Sequence, residues 1–337
     1  MTIPQEIDKY QLIRSLGAGH FGQVYYAFDR ALASYKAIKV LNIADPNRLL
    51  ESLKEAQVLA LCRHKHIVAI NEANIFSVNG QQRVVLDFEY MPNGSLEGAI
   101  QSRWLSLRES IDHLRGALTG LEFAHSQGIL HRDIKPGNIL LAAGGARLSD
   151  FGLATQVGAG SVGSGNGYIP HLPPEYFVNR QTSVLTDIYA AGMTLYRTVT
   201  NIVDWQGLLS SMNNFEDVVR SGSLIQRVGF DGYVPNSIRR IIRKACAPDA
   251  VSRYQSAEEF RQALDRLRFN VDWVRVADCE WYGQSGSDQY HLSVDASCKF
   301  VNFKRNNRRM TDRCRAVRNI EEAMSVMFDC IAETSLI

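Results

Sequence analysis

Short runs rich in valine, isoleucine and aromatic residues, separated by glycine and other small residues, occupy the chain from Tyr10 to Val40. Such runs predict antiparallel strands joined by tight turns. Asp45 and Pro46 then precede LLESLKEAQVLALC, which predicts one helix with an aspartate cap and a proline in its first turn. The segments HIVAINEANIF and QQRVVLDFEYM predict two more strands, and the turn sequence MPNG marks a boundary after them. The first unit is therefore predicted to be a sheet with a single helix.

Helical spacing dominates after this boundary. The segments SLRESIDHLRGALTGLEFAHSQG, DIYAAGMTLYRTVTN, SIRRIIRKAC and SAEEFRQALDRLR all repeat apolar residues with the period of a helix. From about Asn270 the pattern changes to the strand-like runs DCEWYG, YHLSVDA and KFVNFKR, which precede a helix, NIEEAMSVMFDCIAET, with Asn319 as its cap. The predicted fold class is α+β, with a sheet unit at residues 8–91, a mainly helical unit at 92–268 and a small α+β appendage at 270–337.

Composition limits the class of protein. The chain has 337 residues, 45% of them hydrophobic, which suits two or three structural units. Its formal net charge of +2 is too small to indicate nucleic acid or a membrane as the partner of the whole chain. The six cysteines form no CxxC pair, so they favour neither a zinc site nor a disulfide framework. Because no secretory signal is recognisable and no segment approaches the roughly 20 apolar residues of a membrane span, we expect a cytoplasmic protein.

The segment LGAGHFGQVY carries Gly17, Gly19 and Gly22 between two predicted strands. Glycines there let the backbone bring N–H groups close to phosphate oxygens, although short glycine patterns also recur in ordinary hairpins. Downstream, AIKV places Lys39 inside a strand, where a buried ammonium group requires an anionic partner. Glu55 on the predicted helix is the candidate partner, and an exposed helix position is the alternative for it.

The segment HRDIKPGNIL brings an acid, a lysine and an amide into one short stretch. Asp133 can orient a hydroxyl group and accept its proton, while Asn138 can bind a metal ion beside it. Lys135 lies between them and is available to a transferring phosphoryl group. RLSDFGLA follows, and its Asp150 supplies a second oxygen ligand of the kind that Mg²⁺ prefers. Each residue alone also fits a turn or a solvated surface, but chance does not explain the whole set in this order.

Together these motifs resemble those of a eukaryotic-like (Hanks-type) serine/threonine protein kinase, over roughly residues 8–268. The resemblance implies a bilobal protein-kinase fold that binds ATP and Mg²⁺ between a sheet lobe, the N-lobe, and a helical lobe, the C-lobe. It implies that Asp133 is the catalytic base and that Lys39, paired with Glu55, binds the α and β phosphates. Asn138 and Asp150 would hold the magnesium ions. Lys135, two residues after Asp133, is the form found in serine/threonine kinases.

The same resemblance implies the surroundings of the nucleotide and two anchors in the C-lobe. Nucleotide contacts are expected from Leu16, Gly17, Gly19, Gly22, Val24, Ala37, Lys39, Glu89, Met91 and Leu140, with Phe88 as the gatekeeper. Asp187 in TDIYAAGMTLY is expected to bind the backbone of the catalytic loop. Arg253 is expected to pair with Glu175, the glutamate of the APE motif.

The segment before Glu175 departs from the family pattern. The family reads like GTxxYxAPE where this chain has GSGNGYIPHLPPEYF, which we interpret as about three extra residues between Tyr168 and Glu175. Ser161 and Ser164 lie in the glycine-rich stretch before it. We predict that one of these serines is an autophosphorylation site whose phosphate pairs with Arg132, and a merely flexible loop is the alternative.

The appendage contains a strongly basic run, CKFVNFKRNNRRMTDRCRAVRN. Its cations, opposed by Asp312 alone, are Lys299, Lys304, Arg305, Arg308, Arg309, Arg313, Arg315 and Arg318. Docking of a partner or regulation of the kinase lobes is the favoured interpretation, and nucleic acid stacked on Phe300 and Phe303 is less favoured. A solvated charged face is the simplest alternative.

Further expectations concern the core of the appendage. NFKRNNRRM fits two strands joined at Asn306 and Asn307. Trp273, Trp281 and Tyr282 are expected to form the core of the appendage or to pack on the C-lobe.

Three other functions compete with an active protein kinase. A pseudokinase or adaptor whose tail recruits a partner is opposed by the intact Lys39, Asp133, Asn138 and Asp150. A kinase of small molecules is disfavoured because the resemblance to protein kinases extends to residues 89–91, to TDIYAAGMTLY and to the segment before Glu175. A nucleic-acid module with an attached kinase predicts binding that weakens with salt.

Overall fold

The computed structural model of the chain describes residues 6–19, 22–41, 57, 60–78, 80–151, 155–156 and 168–337. The helix predicted to begin at Asp45 falls almost entirely outside these residues, as do Glu55, Ser161 and Ser164. The α+β fold class is confirmed: an antiparallel sheet forms the N-lobe, helices dominate the C-lobe, and a sheet-rich appendage follows.

The N-lobe sheet has the strand order β1-β2-β3-β4-β6-β5. Alternation along these strands buries Tyr25, Ala27, Ile38 and Val40 on one face. The opposite face carries Val24 and Lys39, which are direct cross-strand partners. The strands are β1 (Glu6–Ile7), β2 (Tyr10–Gly19), β3 (Gly22–Asp29), β4 (Ser34–Leu41), β5 (Ile70–Val78) and β6 (Gln81–Glu89).

The C-lobe is built around one buried helix, α4, which begins after a capping box formed by Ser183 and Thr186. The helices of this lobe are α1 (Leu96–Ser102), α2 (Leu107–Ser126), α3 (Pro174–Asn179), α4 (Val184–Thr200), α5 (Trp205–Ser210), α6 (Phe215–Arg220), α7 (Leu224–Val228), α8 (Asn236–Ala245) and α9 (Ala257–Asp265). Two small antiparallel pairs lie beside them. They are β7 (Ile129–Leu130) with β10 (Thr155–Gln156), and β8 (Ile139–Ala142) with β9 (Gly145–Leu148).

The appendage is an antiparallel sheet covered on one face by a helix, α10 (Ile320–Ser335), which Asn319 caps by accepting from the Glu322 backbone N–H. The strands are β11 (Asp272–Ala277), β12 (Glu280–Ser285), β13 (Asp288–Val294), β14 (Phe300–Arg305), β15 (Arg308–Arg309) and β16 (Arg315–Ala316). The predicted turn between β14 and β15 is confirmed, with Asn306 and Asn307 at φ of 50° and 62°. The strand β11 was not predicted.

The appendage shares its hydrophobic core with the C-lobe. Trp281 is buried, and its ring lies 5.0 Å from that of Trp104 and 5.5 Å from that of Tyr233. Trp273 is buried inside the appendage, as expected. The expectation for Tyr282 was wrong, because its side chain is 49% exposed and stacks on His291 on the outer face of the sheet. In the described part of the chain, no helix has the length and apolar character needed to cross a membrane.

Candidate active site

The segment HRDIKPGNIL begins directly after β7 and continues into β8 of the C-lobe. It contains a short helical turn, Pro136–Asn138, which fits the fixed backbone of proline at its first position. The buried His131 ring packs on Phe151, with ring centroids 4.5 Å apart, and its Nε2 contacts the Ser149 carbonyl oxygen at 3.0 Å. These contacts join the loop to the segment after β9 that contains Asp150.

The structure brings Asp133, Lys135 and Asn138 into direct contact. Asp133 Oδ2 accepts hydrogen bonds from Lys135 Nζ at 2.6 Å and from Asn138 Nδ2 at 2.9 Å. Asn138 Nδ2 also donates to the Asp133 carbonyl oxygen at 2.8 Å. The other carboxylate oxygen, Asp133 Oδ1, is buried and makes no hydrogen bond with any described residue. One oxygen of the carboxylate is thus fixed by two donors, while the second stays able to accept a proton.

An ion pair between the two lobes joins Lys39 to Asp150. The side chain of Lys39 is 8% exposed, and its Nζ lies 2.8 Å from Asp150 Oδ1. Burial acts to raise the pKa of the Asp150 carboxyl, but the charge and hydrogen bond of Lys39 outweigh it and hold that pKa below its ordinary value. Asp150 therefore stays ionised and able to bind a cation at neutral pH. The predicted pair of Lys39 with Glu55 lies outside the described residues.

Asp187 holds the backbone of the catalytic loop, as predicted. Its side chain accepts from the backbone N–H groups of His131 at 2.9 Å and Arg132 at 2.8 Å, and it lies 2.9 Å from His125 Nε2. These contacts fix the loop where Arg132 adopts a positive φ of 69°, a conformation that non-glycine residues seldom adopt. The position of Asp133 therefore depends on a residue of α4.

The guanidinium group of Arg132 is partly buried beside this site. Its Nε and Nη2 are buried and have no hydrogen-bond partner among the described residues. Burial lowers the pKa of Arg132, with the Asp187 charge opposing that effect. Such a cation is poised to accept an anion.

A second predicted anchor, Arg253 with Glu175, is confirmed. Arg253 is fully buried, and its Nη1 and Nη2 donate to the two carboxylate oxygens of Glu175 at 2.7 and 2.8 Å. The guanidinium also donates to the carbonyl oxygens of Leu185, Ala247 and Pro248. All its N–H groups are therefore engaged, and Glu175 is fixed at the start of α3.

The fixed position of Glu175 corrects the interpretation of an insertion before it. Counting back from Glu175, the stretch GYIPHLPPE has the same length as GTxxYxAPE, with Tyr168 in place of the threonine and His171 in place of the tyrosine. The geometry agrees, because Tyr168 and His171 line a small pocket together with Asp133. The earlier interpretation matched tyrosine with tyrosine and thereby created about three surplus residues.

Sequence reasoning thus missed two residues of the site. His171 is buried, and its Nδ1 contacts the Ile134 carbonyl oxygen at 3.0 Å. Burial lowers the pKa of His171 to about 3, with the nearby Arg197 charge acting in the same direction, so the imidazole is neutral. The Tyr168 ring packs edge-on against it, with centroids 4.9 Å apart. Counting from the Pro-Glu pair at Glu175 would have found both residues.

The residues expected around the nucleotide lie mostly on the β2, β3, β4 and β6 strands and on the segment after β6. Val24 pairs across strands with Gly17 and Lys39, and Ala37 pairs with Phe88. Leu16 is 38% exposed, whereas Met91 is buried. Leu140 lies on β8 in the C-lobe, and Glu89 Oε1 accepts from the Ala69 backbone N–H at 3.0 Å.

Gly22 has a structural reason to be glycine. A Cβ atom there would lie 2.3 Å from the Val40 carbonyl oxygen, so no larger residue fits against β4. Gly17, by contrast, has open space at its Cβ position. Gly22 is thus needed for strand packing, whereas Gly17 has the free surface that the phosphate interpretation requires.

Comparison with known proteins agrees with this geometry. The family described as protein kinase domain matches residues 10–264. A probable serine/threonine-protein kinase PknB of Lactococcus lactis is 29% identical over 288 residues, covering 79% of this chain and 44% of that protein. Serine/threonine-protein kinase PknA of Mycobacterium tuberculosis is 28% identical over 272 residues, covering 77% of this chain and 61% of that protein. The chain spans about half the length of these curated relatives. Because the family match covers most of the chain, and the contacts expected of Asp187 and of Arg253 with Glu175 are present, the chain belongs to the protein kinase domain family.

Proposed function

We propose that the chain is an ATP-dependent serine/threonine protein kinase that transfers a phosphoryl group to protein hydroxyls, itself included. The arrangement of Asp133 carries the proposal. Its Oδ2 is fixed by Lys135 and Asn138, while its Oδ1 is buried and without a partner among the described residues. A general base needs this combination of fixed orientation and one free acceptor oxygen.

The residues present fit ATP with Mg²⁺. Lys39 is a buried cation beside Asp150, and the lowered pKa of Asp150 keeps that carboxylate charged. Asp150 and the amide oxygen of Asn138 would hold Mg²⁺, which binds few protein oxygens and completes its shell with phosphate and water. Lys39 would bind the phosphates, and Val24, Ala37 and Leu140 would contact the adenine. Bound ATP supplies the phosphoryl group, whose bond to the β-phosphate oxygen is exchanged for a bond to the acceptor oxygen, with ADP as the second product.

The chain contributes position and charge to this reaction. Asp133 orients the acceptor hydroxyl and takes its proton, which later passes to solvent. Lys135, 2.6 Å from Asp133, places a positive charge beside the acceptor oxygen where negative charge gathers. Asp187 fixes the positions of Asp133 and Lys135, because its carboxylate accepts hydrogen bonds from backbone N–H groups of the same loop.

Transfer of labelled γ-phosphate tests the proposal. Asp133→Asn should lower transfer to the kinase itself and to dephosphorylated casein by roughly 10²–10⁴-fold, because the amide cannot accept the proton. Lys39→Ala should abolish transfer as well. Asp278→Asn is the matched control, since this aspartate is 98% exposed in the appendage. Unimpaired transfer by folded Asp133→Asn would reject Asp133 as the base, and a folded wild type that binds ATP without transfer would favour a pseudokinase or adaptor.

We further propose that phosphate on Ser161 or Ser164 pairs with Arg132. Two buried guanidinium nitrogens of Arg132 without a partner among the described residues support this pairing. Intact-mass analysis after incubation with ATP should find one phosphate that Ser161→Ala or Ser164→Ala removes. An active kinase without phosphate on either serine would refute the proposal.

We propose that the appendage docks an acidic protein segment. Lys299, Lys304, Arg308 and Arg315 make no ion pair with a described residue, whereas Arg305, Arg313 and Arg318 pair with Asp288, Glu333 and Glu322. Nucleic acid is less favoured, because the stacking surfaces expected for it are occupied. Phe303 is buried, and the Arg309 guanidinium lies 4.7 Å from the Phe300 ring centroid.

Two labelled polyanions distinguish these partners. A polyglutamate peptide should bind the full chain, and Lys304→Glu combined with Arg308→Glu should weaken binding by at least about tenfold. Arg227→Glu combined with Arg240→Glu, a charge change of the same size at exposed positions of the C-lobe, should have no such effect. Tighter binding of single-stranded oligouridylate, with a steep salt dependence, would instead support nucleic acid.

We also propose that the protein acts in the cytoplasm. All six cysteines are free thiols, three of them buried. Free thiols are typical of a reducing compartment, where ATP is also abundant. Fluorescence microscopy or fractionation of the tagged protein tests this.

A further inference from the structure

The Tyr168 side chain lies between the catalytic loop and α5. The face of its ring lies over Lys135, with the ammonium nitrogen 5.6 Å from the ring centroid. Its hydroxyl oxygen accepts a hydrogen bond from Gln206 Nε2 at 3.0 Å. The ring thus contacts the catalytic lysine, while the hydroxyl group is held on the far side by α5.

A threonine, which the family has at this position, offers a hydroxyl and no aromatic ring. In this chain the hydroxyl is already engaged with Gln206, so the ring is what meets Lys135. The negative face of an aromatic ring attracts an ammonium group within about 6 Å, and the attraction increases where water is excluded. Lys135 is only 31% exposed, and its ammonium nitrogen is also 2.6 Å from Asp133 Oδ2.

The position of the ring is itself fixed by its neighbours. His171 packs edge-on against it and is neutral, so it does not compete with Lys135 as a second cation. Because His171 also contacts the Ile134 carbonyl oxygen, the ring and the catalytic loop are held to each other. Burial raises the pKa of the Tyr168 hydroxyl, which therefore stays neutral at physiological pH.

We propose that Tyr168 is a positioning residue that holds Lys135 beside Asp133 through the face of its ring. The inference rests on the proposed kinase activity and deepens it. It assigns to an aromatic ring the place that a threonine has in the family. The consequence is that transfer to an acceptor hydroxyl depends on the π electrons at position 168 and not on the hydroxyl group there.

Isosteric replacements separate the ring from the hydroxyl. Tyr168→Phe keeps the ring and should retain most of the turnover number, kcat, for phosphorylation of dephosphorylated casein. A pentafluorinated phenylalanine at position 168 keeps the shape but reverses the charge of the ring face, so it should lower kcat roughly 2- to 30-fold relative to Tyr168→Phe. The KM for ATP and the melting temperature should not change. Gln206→Leu, which removes the hydrogen bond donated by Gln206 to the hydroxyl and leaves the ring, is the matched control and should leave kcat unchanged.

A double-mutant cycle tests whether the effect passes through Lys135. Tyr168→Leu should lower kcat in the wild-type background, but it should have no further effect in a Lys135→Met background. Equal losses in both backgrounds, or equal kcat for the fluorinated and unfluorinated rings, would overturn the proposal. In either case wild-type transfer shows that the kinase activity stands. An inactive wild type overturns the activity and the inference together.

Discussion

Replacing Glu175 by glutamine should destabilise the protein by about 2–3 kcal/mol. Breaking a buried ion pair by removing one partner costs about 3–5 kcal/mol, because the other charge stays buried. Arg253 is fully buried, so it cannot recover water, whereas Glu175 is 30% exposed and its charge is partly solvated. Glutamine also keeps one acceptor oxygen for the guanidinium. The partial exposure of Glu175 and the remaining acceptor oxygen both lower the expected loss, to just below that range.

Urea unfolding followed by tryptophan fluorescence measures this loss, and calorimetry should show the melting temperature falling by roughly 3–6 °C. Glu216→Gln is the matched control, because its ion pair with Arg220 is long, at 3.8 Å, and exposed. That control should change stability by less than about 0.5 kcal/mol. Equal losses for the two variants would refute the reasoning that burial of Arg253 sets the cost.

Substitution of Arg253 gives a second test of the Glu175–Arg253 ion pair. Arg253→Met leaves three carbonyl oxygens without their donor, so it should be at least as destabilising as Glu175→Gln. In the double variant no buried cation remains, and the combined loss should fall short of the sum by at least about 1 kcal/mol. Simple additivity would mean that the two residues do not act as a pair.

Three other perturbations have distinct outcomes. Asp187→Asn should destabilise the fold by about 3 kcal/mol and slow transfer, because a carboxamide cannot accept from both loop N–H groups and His125; unchanged urea stability would contradict this. Trp281→Ala should cost about 3–5 kcal/mol, while Tyr282→Ala, on the exposed face of the same strand, should cost less than about 1 kcal/mol. The pKa of His171 is lowered from 6.5 to about 3, so the folded protein requires the neutral imidazole. Its contribution is present above pH 6.5 and should be lost as pH falls toward 3, by up to about 1.4 kcal/mol per pH unit, and His171→Gln should flatten that part of the stability profile.

The sequence predicted the elements whose signals are local. The helix α2 and the cap at Asn319 follow from apolar spacing and capping chemistry within a few residues. The strand β11 was missed, and one of its side chains makes a contact that no local pattern shows. The guanidinium of Arg275 lies 5.5 Å from the ring centroid of Trp104, which belongs to the C-lobe.

The residues of the site also divide into those that a local motif predicts and those that depend on contacts between distant segments. Asp133, Lys135 and Asn138 are close in sequence, and their motif predicted their proximity. The roles of Tyr168 and His171 depend on where Glu175 is fixed by Arg253, which is a contact between distant segments. Matching identical letters gave the wrong register there, because the chain has changed residue type at two positions while keeping the spacing.

The core shared by the appendage and the C-lobe affects how the catalytic unit can be cloned. The family match ends at residue 264, and a gene cut there would leave Trp104 and Tyr233 facing water. An exposed aromatic pair of this kind invites precipitation during expression. An expressed fragment that contains the kinase domain should therefore retain residues 270–337. Exchange of these residues between relatives would also require transfer of Trp104 and Tyr233, which contact Trp281 from the C-lobe.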